Sequence, residues 1–561
     1  MATVALPFLK LTLTPNFSIL SGAADSLSAT LTLQNPRVVA GGVLFVFDQI
    51  AGRDVSPSVH SAESGLAASD DDGDLVLRVV QVDGSARHLY ATRHTAGDVI
   101  LKLHVIPLIG CETRAAGVQP GLRMDHGGLM GVGRSFLPRP PDIGITQYRN
   151  VVEWDLSDAP AGTRAIWSFG EGPGPIVRDG PASVLLDSVY MVGPVQSHPP
   201  EPVVDPGASF CGTYWFGELP PNLDALKDFS SEMFPRMSAH FRDVTGSYRL
   251  FLRKVQGCLA GLTCAGSSVV DYAEDTKTET DWDLVRLLNH HMVRSWIGLD
   301  PEDDGFDNDW FSRGWAQIYS VFLPFRFGQR TPDYFRATIN AFLTAYYTNP
   351  RKTISLRDTE TISSDWYARQ IPDMRGCIYM LKMDFFTRRA SKARGDNVMR
   401  PIDGVLAEIS VNRRQGQRVQ TRHWLQYLAH WLGPEAAEKY FEDFMDGTGE
   451  ILEMGDLTAS FGDKDSPVAV EQEVLDLGMD PESFDTRVVS GLVPGSRAEL
   501  AGLQNGDKIL WNSRLGACVT NFDRKLTIAV ERGEREAEIE YWPRAWTKAP
   551  SWQVMRIAGG D

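Results

Sequence analysis

The sequence predicts an α+β protein of several domains: an N-terminal β-sandwich, a mostly helical central body and a small β-rich C-terminal domain. Three observations predict this. Short alternating apolar runs broken by Gly, Pro and Asp fill residues 1–170. Apolar residues then recur at i, i+3 and i+4 in successive segments of residues 281–460. The last hundred or so residues return to short strands and Gly-rich turns. With 561 residues, the chain is also too long for one hydrophobic core.

In order along the chain, "LKLTLTPNF", "SATLTLQN", "GGVLFVFDQ", "DLVLRVVQVD" and "VVEWDLSD" read as strands of the first domain. The acidic "SDDDGD" between them (Ser69 to Asp74) reads as a solvated turn, because its spacing is not that of an EF-hand loop. "QSHPPEPVVDPG" (Gln196 to Gly207) reads as an extended connector. The central domain, residues 171–460, opens with a β-rich part (171–280) that includes "SYRLFLRKV" and "GSSVVDY". Helical periodicity follows in "WDLVRLLNHHMVRSWIG", "AQIYSVFLPFRFG", "DYFRATINAFLTAYYT", "IYMLKMDFFTRRASKA" and "WLQYLAHWLG", and earlier in "LDALKDFSSEMFPRMSAHF". Residues 465–561 form the last predicted domain.

A net charge of −17 without a Lys/Arg stripe argues against a nucleic-acid partner, which needs clustered cations. No stretch approaches the roughly 18 apolar residues that span a bilayer, so no membrane partner is expected. The first residues, "MATVALPFLKLTLTPNF", lack the basic and apolar regions of a signal peptide. Six cysteines without a C-x-x-C pair read as reduced thiols, with Cys258 and Cys377 assigned to the core; the expected compartment is the cytoplasm.

"LLNHHMVRSWIG" (Leu287 to Gly298) has the shape of a zinc-peptidase helix, without the Glu and the second His of H-E-x-x-H. "MDHGGLMGVGRSFLP", "AGLTCAGSS", "SRGWAQIYSVFLPFRFG" and "DMRGCIYMLKMDFFTRR" stand around it in order. Together, and over the full length, they resemble the glycyl aminopeptidase family of gluzincin metallopeptidases. That resemblance implies a thermolysin-like central domain. The C-terminal "GSRAELAGLQNGDKIL" resembles a PDZ domain of the protease-associated kind. A PDZ groove adds an extended peptide to a sheet edge, although the same module can also be internal packing.

The family's chemistry uses two histidines four apart on a helix, a glutamate beside the first, and a further glutamate ligand. Here His290 occupies the first ligand position and His291 replaces the general-base glutamate. Arg294 replaces the second histidine, and eighteen intervening residues lead to Arg313 in place of the third ligand. Thr263 and Cys264 replace the Glu-His pair of the family's G-G-L-E-H strand, and Asp373 falls where its tyrosine is expected. Arginine does not coordinate zinc. No metal and no cofactor are therefore expected.

Two cations about 5 Å apart repel by roughly 3 kcal/mol at an effective dielectric near 20. Asp373, Asp307 and Asp309 are candidate internal partners, and a bound carboxylate or enolate is the alternative. Three functions remain open. In a metal-independent enzyme, His290 or His291 is the acid/base, Arg294 and Arg313 bind a small anionic or enolisable substrate, and Asp373 orients a histidine. Its chemistry would be cyclisation, dehydration or isomerisation, as in secondary metabolism. In a pseudopeptidase, the cleft and the PDZ-like domain hold a peptide or a partner protein without turnover. In the third, Cys264 is a nucleophile paired with a histidine, against the simpler reading of a buried structural thiol. Trp310 and Trp315 flank Arg313 and are expected to pack, or to line a cleft for an aromatic ligand. His126 reads as part of a turn.

Overall fold

The computed structural model describes residues 6–48, 65–82, 86–108, 121–141, 146–201, 209–243, 246–255, 259–273, 276–277, 279–362, 365–396, 398, 400–448 and 465–556. Cys111 and Cys258, and the second half of the proline-rich connector, fall outside them. The chain forms two compact units: Met1–Pro235 with Val244–Asp281, and Arg236–Asp243 with Trp282–Asp561. No helix among the described residues is long and apolar enough to cross a membrane.

In the first unit, alternation dictates the sheets. Leu9, Leu11 and Leu13 of Phe8–Phe17 point to one face and are at most 2% exposed, while the residues between them are half-buried. That strand pairs antiparallel with Ala24–Leu33 and parallel with Gln147–Trp154. The full sheet has seven strands, and its inner face shares one core with Val43–Phe47 and Ala86–Ala91 of a separate three-stranded sheet. "SDDDGD" is a tight hairpin turn in which Asp70 pairs with Gly73. Its Asp70 is tied to Arg93 at 2.7 Å, so one carboxylate of the acidic run is fixed rather than solvated.

Among the described residues this unit has two five-stranded sheets, one of which runs Gln196–His198, Phe210–Trp215, Ser247–Lys254, Ser267–Tyr272, Ala260–Cys264. The start of the expected connector is thus an edge strand. His126 lies in the turn between Arg123–Asp125 and Gly128–Val132. There its positive φ of 44° and a 2.6 Å contact with Asp125 hold it. Among the described residues two α-helices begin in this unit, α1 (Ser183–Leu186) and α2 (Pro221–His240).

The second unit is helical first and β later. Among the described residues its helical part comprises α3 (Asp281–Arg294), α4 (Asp309–Arg326), α5 (Pro332–Tyr347), α6 (Leu356–Thr361), α7 (Ile371–Arg394), α8 (Pro401–Arg414), α9 (Thr421–Leu432) and α10 (Pro434–Asp446), and three short helices follow among the later strands. Helices α8 and α10 are additions to the sequence reading. Each begins with proline at its first position, where the missing N–H costs nothing. Strands follow: Asp465–Leu475 pairs with Arg544–Arg556, and Lys508–Asn512, Leu526–Arg532 and Arg535–Tyr541 form a three-stranded sheet. Asn340 of α5 exchanges hydrogen bonds with the Val554 backbone, at 2.9 and 2.6 Å.

One contact positions the site. Helices α4 and α7 cross at Gly314 and Gly376, so closely that a Cβ on Gly314 would meet the Gly376 carbonyl carbon at 2.6 Å. A Cβ on Gly376 would meet the Trp310 carbonyl oxygen at 2.7 Å. Only glycine lets these backbones approach so far. Arg313 precedes one glycine, and Asp373 lies one turn before the other.

Candidate functional site

Three helices supply the side chains. The last turns of α3 carry His290, His291 and Arg294, α4 opens with Asp309 and places Arg313 one turn on, and α7 offers Asp373 in its first turn. Four-residue spacing puts Arg286, His290 and Arg294 on one face of α3. All three are largely buried, as is Asn289 beside them.

Arg294 and Arg313 are both bound to carboxylates. Arg294 Nη2 donates to Asp309 Oδ1 at 2.7 Å, and Arg313 Nε donates to Asp309 Oδ2 at 2.9 Å. Arg313 Nη1 donates to Asp373 Oδ1 at 3.2 Å. Ser312 Oγ adds a 3.1 Å hydrogen bond to Asp309. Two guanidiniums and two carboxylates thus form a balanced quartet with Asp309 at its centre. Burial pushes the Asp309 carboxyl up, but Arg294 and Arg313 outweigh it and hold it below the usual range. Asp307, the remaining candidate partner, lines a cavity beside the quartet.

The histidines correct an expectation. His290 is 7% exposed and His291 6%, and their rings meet edge-on with centroids 5.2 Å apart. Burial first, then the positive charge of Arg294, Arg313 and Arg286, drives His291 down to about 3. His290 is driven well below the ordinary histidine range by burial, by its neighbour His291 and by the same arginines. Both imidazoles are neutral at pH 7. Neither titrates near neutrality, as the acid/base reading requires, because the charged form would be buried among cations. His290 Nδ1 has no hydrogen-bond partner among the described residues.

A cavity of about 270 Å³ opens beside the quartet. Arg313, Asp309, Asp307 and Arg369 give it a polar wall, and Phe306 and Trp310 an apolar one. Trp310 is 2% exposed, with its indole N–H on Asn308 at 3.0 Å and its ring against Phe444. Trp315 does not line this cavity. It is fully buried between Tyr319 and Trp424, so it belongs to the core.

Thr263 and Cys264 end a strand at the edge of the five-stranded sheet of the first unit, paired with Ser268 and Ser267. The Cys264 side chain sits in an apolar cluster with Met130, Val132 and Phe251, and burial pushes its thiol up to about 12. At that value it is protonated and a poor nucleophile. The reading of Cys264 as an activated thiol is corrected accordingly. Cys211, Cys377 and Cys518 are likewise free and buried. Sequence reasoning missed Arg286 and Arg369. The i+4 stripe with His290 and Arg294 was a visible signal for Arg286, whereas Arg369 had none.

The residues present do not fit a zinc ion. Guanidinium groups have no lone pair to offer, and those of Arg294 and Arg313 are already committed to Asp309.

No protein-family model matches the sequence. No curated protein matches it either. Among solved structures, the chain is similar to the aminopeptidase N family protein of Idiomarina loihiensis, with 14% identity, 98% of each chain covered and a TM-score of 0.63. A M1 zinc metallopeptidase mutant from Deinococcus radiodurans, bound to a Tyr-Ser-Ala substrate, aligns at 15% identity over 79% of this chain and 94% of its own, with a TM-score of 0.47. Yeast LTA4 hydrolase in complex with bestatin aligns at 11% identity over 79% of this chain and 68% of its own, with a TM-score of 0.46. The first of these carries the comparison: the chain has the α+β fold of an aminopeptidase N family protein, with a sheet-built N-terminal part and a helical central body.

Proposed function

We propose that this protein is a pseudopeptidase, an aminopeptidase-like scaffold that binds a peptide or protein partner without hydrolysing it. The observation that carries the reading is the quartet: Asp309 bridges both arginines, and Asp373 completes the charge balance. A site that must accept an anionic substrate or a dication keeps an uncompensated charge, whereas here the charges of Arg294 and Arg313 are matched by Asp309 and Asp373. The neutral, deeply buried histidines add to that argument. The partner-binding surface in this reading is the PDZ-like C-terminal region, on the strength of its sequence resemblance.

The test pairs the wild type with His291→Glu/Arg294→His/Arg313→Glu, which writes the peptidase pattern back into the chain. Equilibrium dialysis should give no stoichiometric zinc in the wild type and close to one equivalent in the triple variant. The wild type should release no dye from aminoacyl naphthylamides. A zinc equivalent in the wild type, or chelator-sensitive turnover, would overturn the reading.

The cavity beside Arg313 and Arg369, with the unpartnered Nδ1 of His290 nearby in sequence, favours a second reading. There the protein is a metal-independent enzyme for a small anionic or enolisable substrate, whose charge raises the histidines on binding. Native mass spectrometry separates the two. A copurified mass of a few hundred daltons, lost in Arg313→Ala, supports the enzyme; a bare mass supports the pseudopeptidase.

A further inference from the structure

A larger cavity than the one beside the quartet lies elsewhere in the helical unit, between α8 and α9, with a volume of about 620 Å³. That is the size of a pocket for a small organic ligand. Its floor is apolar: Val405, Ile409 and Val419 are buried, and Trp431 stands half-buried beside them.

Four of its polar lining residues are already engaged with other protein groups. Arg418 is paired with Asp303 at 2.8 Å and donates to the Pro301 carbonyl at 2.9 Å. Glu408 takes the Tyr427 hydroxyl, which is pushed upward by burial and by that carboxylate. His423 Nδ1 accepts the Gln420 backbone N–H at 2.9 Å, which leaves a proton on Nε2 of the neutral ring, a hydrogen-bond donor.

Among the charged residues that line it, Arg242 is the exception. It lines the pocket, and its guanidinium has neither a hydrogen bond nor an ion pair among the described residues. Its backbone is also strained. Arg242 follows the end of α2 with φ of +54°, in a Schellman arrangement where the Asp243 N–H reaches the Ser238 carbonyl at 2.8 Å. Glycine is the usual residue there. The conformation is held from outside, since Asp243 accepts from Trp296 Nε1 at 2.8 Å and the Arg242 carbonyl accepts from Arg414 at 2.9 Å. A side chain kept at such a position against its backbone preference points to a use for that side chain.

The geometry points to the α8–α9 pocket as a binding site for a small organic acid, a flat apolar body with one oxyanion headgroup received by Arg242. The body lies over Val405, Ile409 and Trp431, and the His423 N–H adds a second donor. This site is independent of the quartet, so the proposal stands whichever reading of the old peptidase cleft is correct.

Isothermal titration of the full-length protein with 2-naphthoate, 2-naphthyl phosphate and the neutral 2-naphthamide is the test. One or both anions should bind saturably, at least tenfold tighter than the amide; the better of the two identifies the headgroup. Arg242→Gly should weaken that binding tenfold or more without lowering the melting temperature, because glycine accepts the positive φ freely. Gly404→Phe should abolish it, since a Cβ on Gly404 meets nothing within 4 Å and a ring there would block the mouth without straining the fold. Equal binding of the amide, undiminished anion binding in Arg242→Gly, or no binding to the wild type would overturn the proposal.

Discussion

The Asp309 carboxylate accepts a 2.7 Å hydrogen bond from Arg294 Nη2, tying the first residue of α4 to the last residue of α3. Because Asp309 also holds Arg313, removing its charge leaves two guanidiniums with one carboxylate, Asp373. Asp309→Asn should therefore destabilise the protein by about 1–2 kcal/mol; a fully buried pair would cost more, but the Asp309 side chain is 36% exposed and partly screened. Arg294→Met should lose part of its own cost in the Asp309→Asn background. A double-mutant cycle by urea denaturation checks this, and strictly additive effects would show that the pair is not coupled.

The buried histidines give the acid sensitivity its sign. Unfolded histidine titrates near 6.5, whereas His291 in the folded protein titrates at about 3. Between those values the unfolded state binds more protons, so stability rises with pH there. The contribution is complete above about pH 6.5 and is lost as pH falls toward 3. Each such histidine adds a slope of up to about 1.4 kcal/mol per pH unit within that window. Denaturation midpoints from pH 7 to 5 should fall less steeply in His291→Gln than in the wild type. Parallel profiles would contradict the assignment.

How much of this was legible in the sequence depends on the kind of information. The alternation of Leu9, Leu11 and Leu13 and the periodicity of α3, α4 and α7 are local, and the sequence displays them openly. That Arg294 and Arg313 cannot ligate zinc was legible too, because a guanidinium is chemically unsuited to it wherever it points. The pairing was only half legible. Three aspartates were candidates, and the choice of Asp309 and Asp373 depends on how α4 and α7 cross. Proton affinity was not legible at all, since His290 and His291 owe theirs to burial. The α8–α9 pocket needed Arg242, some 160 residues upstream of its walls, to be brought beside them.

The Cys264 thiol provides a chemical probe of the first unit. Its side chain is shielded by Met130, Val132 and Phe251, and burial raises it to about 12. At pH 8 a thiol of that kind is almost wholly protonated, so alkylation must wait for local opening. Iodoacetamide should modify Cys264 at least a hundredfold more slowly in the folded protein than in urea, as followed by peptide mass spectrometry. Labelling within minutes in the folded state would instead identify a reactive, accessible thiol.

The crossing of α4 and α7 makes a prediction whose sign differs from the usual one. Replacing an exposed helical glycine by alanine normally stabilises by about 0.5–1 kcal/mol, because the unfolded chain has less freedom to lose. Gly404 in α8 is such a position, with open space where its Cβ would go. Gly404→Ala should gain roughly that amount. Gly314 is the opposite case. Its new Cβ would lie 2.6 Å from the carbonyl carbon of Gly376, and no side-chain rotation relieves a clash with backbone. The helices must separate, and overpacking of this kind costs about 1–3 kcal/mol, which exceeds the propensity gain. Separation also lengthens the 3.2 Å contact between Arg313 and Asp373. Asp373→Ala should consequently cost less in a Gly314→Ala background than in the wild type. Thermal unfolding of the four variants decides the matter: a stabilised Gly314→Ala would mean that the two backbones do not touch.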